Sequence, residues 1–250
     1  MLENSTIDEP RTDLVVLDDA SEESVKDVIE ERFCVPVIRS RHPEGLSWHW
    51  NRCFSLHRKW GYAAVIIANN DIIIPAGSLK EFVDVLLDPS LTEVHWVGPL
   101  SSPDSLAQAH RQQHVWRVHT YLPSSLHVGS IPQEKAQYMQ DAITHPEWFN
   151  ATAPPRIRAL DDKEQLIYGF FFGIRNLTRR SLIQIGGGLN IGQETAFKYY
   201  MQGYVASRSF VFHHKSATLK SGPNVDRNDV LICHRKHMRT NNQSKRVFNS

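Results

Sequence analysis

An α/β fold, a doubly wound and mostly parallel sheet flanked by helices, is what this chain of 250 residues predicts. Three observations carry it. The runs Leu14-Val15-Val16-Leu17 and Ala63-Ala64-Val65-Ile66-Ile67-Ala68 are apolar throughout, as strands covered on both faces must be. Amphipathic stretches follow them at short intervals. Strand–helix alternation with brief connections favours parallel pairing through crossovers.

In chain order, residues 1–12 are polar, contain Pro10 and show no period, so they read as a disordered N-terminus. The first strand, Leu14–Leu17, ends in the turn Asp18-Asp19-Ala20-Ser21. Ser21 suits an N-cap, and Glu22 and Glu23 suit the positive end of the helix that follows. Val25, Val28 and Ile29 stand at helical spacing and predict a buried stripe. Val35–Ile38 is a short strand, and Pro36 assigns it to an edge or a strand end.

After a loop from Arg39 to Gly45, a helix is expected from about Ser47 to Trp60, then the strand Ala63–Ala68. Asn69-Asn70-Asp71 closes that strand, and Ile72-Ile73-Ile74-Pro75-Ala76-Gly77 leads into an amphipathic helix from Ser78. Val94–Pro99 is a further strand. Between Leu100 and Pro155 the pattern loosens into a polar segment rich in Gln, His and Trp. Order returns with Leu166–Ile174, Leu177–Ile185, the Gly186-Gly187-Gly188 turn, a helix near Gln193–Gln202, and a strand Val205–Phe212 ending on His213-His214.

Composition narrows the class. Hydrophobic residues make up 41% and charged residues 22%, the balance of an ordinary globular domain. No apolar run approaches the roughly 20 residues that span a bilayer. Met1-Leu2-Glu3-Asn4-Ser5 is neither basic nor apolar, so it does not read as a secretory leader, and the expected location is cytoplasmic or the cytosolic face of a membrane. Cys34, Cys53 and Cys233 form no CxxC pair, against both a disulfide framework and a cysteine-rich zinc site. A net charge of +1 conceals an acidic segment 1–31 and a basic tail 220–250. No GxGxxG follows a strand, which disfavours a dinucleotide-dependent oxidoreductase.

Candidate chemistry collects at the C-terminal ends of predicted strands, where open α/β sheets bind ligands. Asp18 and Asp19 end the first strand and can accept hydrogen bonds from a nucleoside. Gly45 permits close backbone approach, and Asn51 offers an amide. Asp71 ends a buried strand, and one such carboxylate suffices for a Mg²⁺ or Mn²⁺ that arrives on a diphosphate. Glu194, the one acid between Glu164 and Asp226, suits a general base. His213 and His214 can ligate a divalent ion.

Several segments, in order along residues 13–219, resemble family 2 glycosyltransferases. Val15-Val16-Leu17-Asp18-Asp19-Ala20-Ser21 resembles their "vvDnaS" segment. Pro43-Glu44-Gly45 through Asn51 is similar to their paired "N-x-G" elements. Ile66–Leu79 resembles "llNNDv-x-v-x-pgxL", and Val97-Gly98-Pro99 their "vgp" strand. Gly169–Gly173, Arg179-Arg180 and Ile185-Gly186-Gly187 resemble the acceptor-side stretch, and Glu194, Gly203-Tyr204 and His213–Thr218 its close.

The resemblance implies one GT-A domain over 13–219, with a donor and metal half at 13–100 and an acceptor half at 101–219. It implies transfer of a sugar from a nucleoside diphosphate sugar to a glycan, lipid or protein hydroxyl, with inversion and with Mn²⁺ or Mg²⁺ as cofactor. Asp71, His213 and His214 would then hold the metal, and Asn69 and Asn70 would join Asp18, Asp19, Gly45 and Asn51 in binding the nucleotide sugar. Glu194 would be the base, and aromatics such as Trp116, Tyr121, Trp148 and Phe149 would face the acceptor.

The chain departs from the pattern in three ways. Only about a dozen residues precede what corresponds to the second strand of the family, so the usual first strand and helix have no counterpart. The paired acids reduce to Gln193-Glu194, and Asn69 replaces the first Asp of the metal motif. The alternative expectation is a catalytically degenerate GT-A-like module that binds sugar or serves assembly. No nucleic acid partner is expected, because no basic stripe recurs before the tail.

Overall fold

A computed structural model describes residues 1–21, 25–101, 132–149, 153–160, 167, 169–175 and 201–213. They form a mixed α/β structure with a sheet core and helices against it. Two short strands, β1 (Val16–Asp18) and β2 (Val37–Arg39), pair in parallel around helix α1 (Lys26–Phe33). A six-stranded sheet is built from β3 (Ala64–Ala68), β4 (Ile72–Ile73), β5 (Trp96–Ser101), β6 (Ile157–Ala159), β7 (Phe171–Arg175) and β8 (Gly203–His213). Helices α2 (Leu46–Trp60), α3 (Ser78–Leu86) and α4 (Pro132–Thr144) complete the set.

The sheet differs from the mostly parallel one expected. Its order is β3-β7-β5-β8-β4, with β6 also on β8, and only β5 and β8 are parallel neighbours. β3, β5 and β8 run one way. The crossover through α3 leaves a gap between β3 and β5, and β7 fills it from far along the chain, antiparallel to both. Local pattern cannot anticipate such an insertion, because β7 is as apolar as a parallel core strand.

Consecutive residues of β7 point to opposite faces and anchor two cores. Phe171 meets Phe82 of α3 edge-on at 4.9 Å between ring centroids, while Phe172 meets Trp50 of α2 at 4.8 Å. Gly173 lets α3 lie close, since a Cβ there would sit 2.7 Å from Leu86 Cδ2. Arg175 ends the strand buried, its guanidinium donating to the carbonyls of Val94, Leu86 and Asp88.

Helix α4 lies in the stretch whose pattern loosens. Ala136, Met139 and Ile143 give it an apolar stripe, but Gln140 is equally buried in that stripe and hides the period. The amide has work to do. β8 bulges opposite Pro99 and Leu100, so residues 207–209 have no partner in β5. Gln140 donates to Arg208 O and accepts from Phe210 N, both at 2.8 Å, and Ser78 donates to Phe210 O at 2.7 Å. Side chains thereby satisfy the backbone groups that the bulge frees.

The helix boundaries follow their caps. Gly45 at φ 82° precedes α2 and Gly61 at φ 73° ends it, both in backbone regions that favour glycine. The N-terminal residues, without periodicity, are tied down through side chains and backbone. Thr6 N donates to Ile74 O at 2.8 Å, Ile74 N to Ser5 Oγ at 3.0 Å, and Arg11 bridges Glu9 and Asp84.

The stripe predicted on α1 has no core to enter. Val25 is 37% and Val28 60% exposed, and no residue of this helix is buried. No helix among the described residues is long and apolar enough to cross a membrane.

Candidate functional site

The C-terminal ends of β3, β5 and β8 meet at one edge of the sheet. The turn Asn69-Asn70-Asp71 leaves β3 there, and β4 then pairs antiparallel with the end of β8, setting Ile72 opposite His213. That register carries Asp71 to His213. Their Oδ2 and Nε2 atoms are 3.4 Å apart, with side-chain exposures of 10% and 8%. The imidazole stacks on Phe170, the rings 4.3 Å apart and 10° from parallel. Asn69 N donates to Phe170 O at 2.8 Å, so one short segment positions both the turn and the ring.

Two of the three predicted metal-site residues are thus adjacent. Among the described residues no three His, Cys, Asp or Glu side chains form a metal-binding group. Asp71 and His213 are two side chains that could ligate an ion, and a pair would suit one that keeps water and substrate phosphate in its remaining positions. Ligands about 2.1 Å from an octahedral ion lie about 3 Å from one another, so the 3.4 Å pair fits two neighbouring corners. His214 and Glu194 lie outside the described residues.

The second group gathers where β1 ends. Asp18 Oδ1 accepts from Ser21 Oγ at 2.6 Å and Ser21 N at 3.1 Å, and Oδ2 accepts from Arg39 Nη1 at 2.5 Å. Burial works against the charge, but the Ser21 and Arg39 donors outweigh it and hold the carboxyl below the ordinary carboxylate range. Asp19 accepts from Glu44 N at 2.7 Å and Gly45 N at 3.0 Å, and His49 Nε2 lies 2.8 Å from its Oδ1. Burial again opposes and the donors again prevail, so Asp19 also stays low. A carboxylate at the start of α2 is further favoured by the helix dipole.

Both aspartates are therefore engaged within the protein, closing the β1–β2 edge and anchoring α2. Ala20, which follows them, adopts a left-handed backbone at φ 56°, which turns the chain sharply enough for Ser21 to reach Asp18. Asn51 lies further along α2, half-buried. Asn69, Asn70 and His49 all line one cavity of about 610 Å³, whose lining includes none of Asp18, Asp19, Asp71 and His213.

Sequence reasoning missed Arg39, His49 and Phe170. Arg39 had a signal, since an end-to-end parallel pairing of the first two strands sets it opposite Asp18. His49, one turn beyond Gly45, had a weaker one. Phe170 had none, because its stacking depends on a strand pairing with distant sequence. No protein-family model matches the chain, and no curated protein matches it significantly.

Proposed function

We propose that the protein is a glycosyltransferase of GT-A type that moves a sugar from a nucleoside diphosphate sugar to an acceptor hydroxyl. The observation that carries this reading is the Asp71–His213 pair, two residues distant in sequence and 3.4 Å apart at the ends of strands. In this reading they hold a Mn²⁺ or Mg²⁺ ion, whose charge, when bound, eases departure of the diphosphate. Asn69 and Asn70 face the donor from the same turn. Asp19 and Gly45 shape the nucleoside end through the loop before α2, and Asp18 braces it. Glu194, assigned by resemblance alone, takes the acceptor proton, and displacement at the anomeric carbon inverts its configuration.

A second reading, a sugar-binding or assembly module without catalysis, has one observation in its favour. The carboxylates of Asp18 and Asp19 are already occupied by protein donors, and the cavity beside them is walled largely by apolar side chains. Titration of UDP and GDP by calorimetry, with and without Mn²⁺, separates the two. The transferase reading expects metal-dependent binding that falls at least about tenfold in Asp71→Ala and in His213→Ala, the equivalent of one charged contact. Equal binding by folded Asp71→Ala, or none by the parent protein, transfers the case to the second reading.

A further inference from the structure

Phe170 reaches both arms of the Asp71–His213 pair, one with its backbone and the other with its ring. It stands just before β7, beside the turn that leaves β3, and its carbonyl accepts from Asn69 N at 2.8 Å. That bond fixes the start of the turn that carries Asp71. The Phe170 ring stacks on the imidazole of His213, with centroids 4.3 Å apart and planes 10° from parallel. Both residues are 6% exposed, and Phe170 shares a core cluster with Ile72 of β4 and Val211 of β8.

Strand register alone leaves the angle of the His213 ring unset. The β4–β8 ladder places His213 opposite Ile72, but the last torsion of a histidine has broad, two-fold wells. A divalent ion meets a ring nitrogen in the plane of the imidazole, along the lone pair of that nitrogen. Rotation about the torsion tips the Nε2 lone pair away from the position shared with Asp71. A face-to-face neighbour lets the ring slide in its own plane and blocks that rotation. Histidine ligands are commonly oriented by a group on the far nitrogen. An aromatic face does the same for the ring plane.

We propose that Phe170 is a positioning residue for this pair. Its ring sets the imidazole plane that aims Nε2 at an ion shared with Asp71, and its carbonyl steadies the turn that carries Asp71. The inference rests on the metal-binding reading of the pair given above, and adds a residue that acts on the ion only through others. The two contributions are separable, because a side-chain substitution removes the ring and keeps the carbonyl. Loss of the ring therefore takes away the His213 share of the affinity and spares the Asp71 share.

The test is binding of Mn²⁺ alone to the full chain, followed by electron paramagnetic resonance of the free ion. Phe170→Leu keeps an apolar side chain and is expected to weaken Mn²⁺ binding by about fivefold or more. Phe170→Tyr keeps the aromatic face and should stay within about twofold of the parent. The double variant Phe170→Leu/His213→Ala is expected to bind as His213→Ala does, since the ring acts through the imidazole. Where Phe170→Leu unfolds, seen by circular dichroism, Phe170→Met replaces it. The proposal is overturned if Phe170→Leu binds Mn²⁺ as the parent does, or if Phe170→Tyr is as weak as Phe170→Leu. It is also overturned if the two penalties add in the double variant, since Phe170 then supports the fold rather than the ring. A parent chain that binds no Mn²⁺, or is unaffected by His213→Ala, removes the metal site itself. The case then passes to the module without catalysis, and this inference falls with the transferase reading.

Discussion

The two parts of the molecule are stabilised in different ways. In the large sheet, β7 carries Phe171 into one core and Phe172 into the other, and both meet aromatic partners that are fully buried. Around β1, β2 and α1, a three-residue ladder and a cluster of charged hydrogen bonds hold the chain, and the helix buries nothing. The first part is a packed interior whose stability comes from apolar contact. The second is a polar clasp beside a cavity, and its geometry rests on Asp18 and Asp19. Cores resist volume changes, whereas a clasp responds to charge and pH.

The largest expected difference is at the packed side. Phe82→Ala empties a site that touches Phe171 and should lower unfolding stability by about 3–5 kcal/mol in chemical denaturation. The corresponding truncation on α1, Val28→Ala, should stay within about 0.5 kcal/mol, because the side chain is 60% exposed. A comparable loss at both positions would erase the distinction. Next, Gly173→Ala drives a methyl into Leu86 and Phe82 and should cost about 1–3 kcal/mol, seen as a lower thermal midpoint.

The clasp sharpens the comparison through pH. Asp18 and Asp19 titrate lower in the folded chain than in the unfolded one, so over that interval the unfolded chain holds more protons and stability rises with pH. Their contribution is complete above about pH 4 and is lost as pH falls through the depressed folded values. Asp18→Asn should cost about 1 kcal/mol or less at neutral pH and flatten this acid limb in urea titrations between about pH 2 and about pH 5, while Phe82→Ala shifts the curve without changing its shape. An unchanged acid limb in Asp18→Asn would separate the clasp from the folding equilibrium.

Much of this organisation was legible in the residues. The strands ending at Asp18 and Ala68, the helix opening after Gly45 and closing at Trp60, and the helix from Ser78 all follow from apolar runs, glycine positions and helical spacing. Those are local signals, set by the backbone preferences of neighbouring residues. α4 escaped notice because Gln140 occupies a core position in it, serving a bulge far away in the chain.

What the sequence alone determined is where strands stop and which side chains stand at their ends, since chain stiffness and burial period act over a few residues. The tertiary structure decided which ends meet. The antiparallel entry of β7 between β3 and β5, the delivery of His213 to Asp71 by the β4–β8 register, and the exposure of the α1 stripe all depend on pairings between remote segments. Such pairings are selected by packing across the whole sheet, in which each strand's neighbours are chosen by shape and hydrogen bonding, and no stretch of sequence records its neighbour.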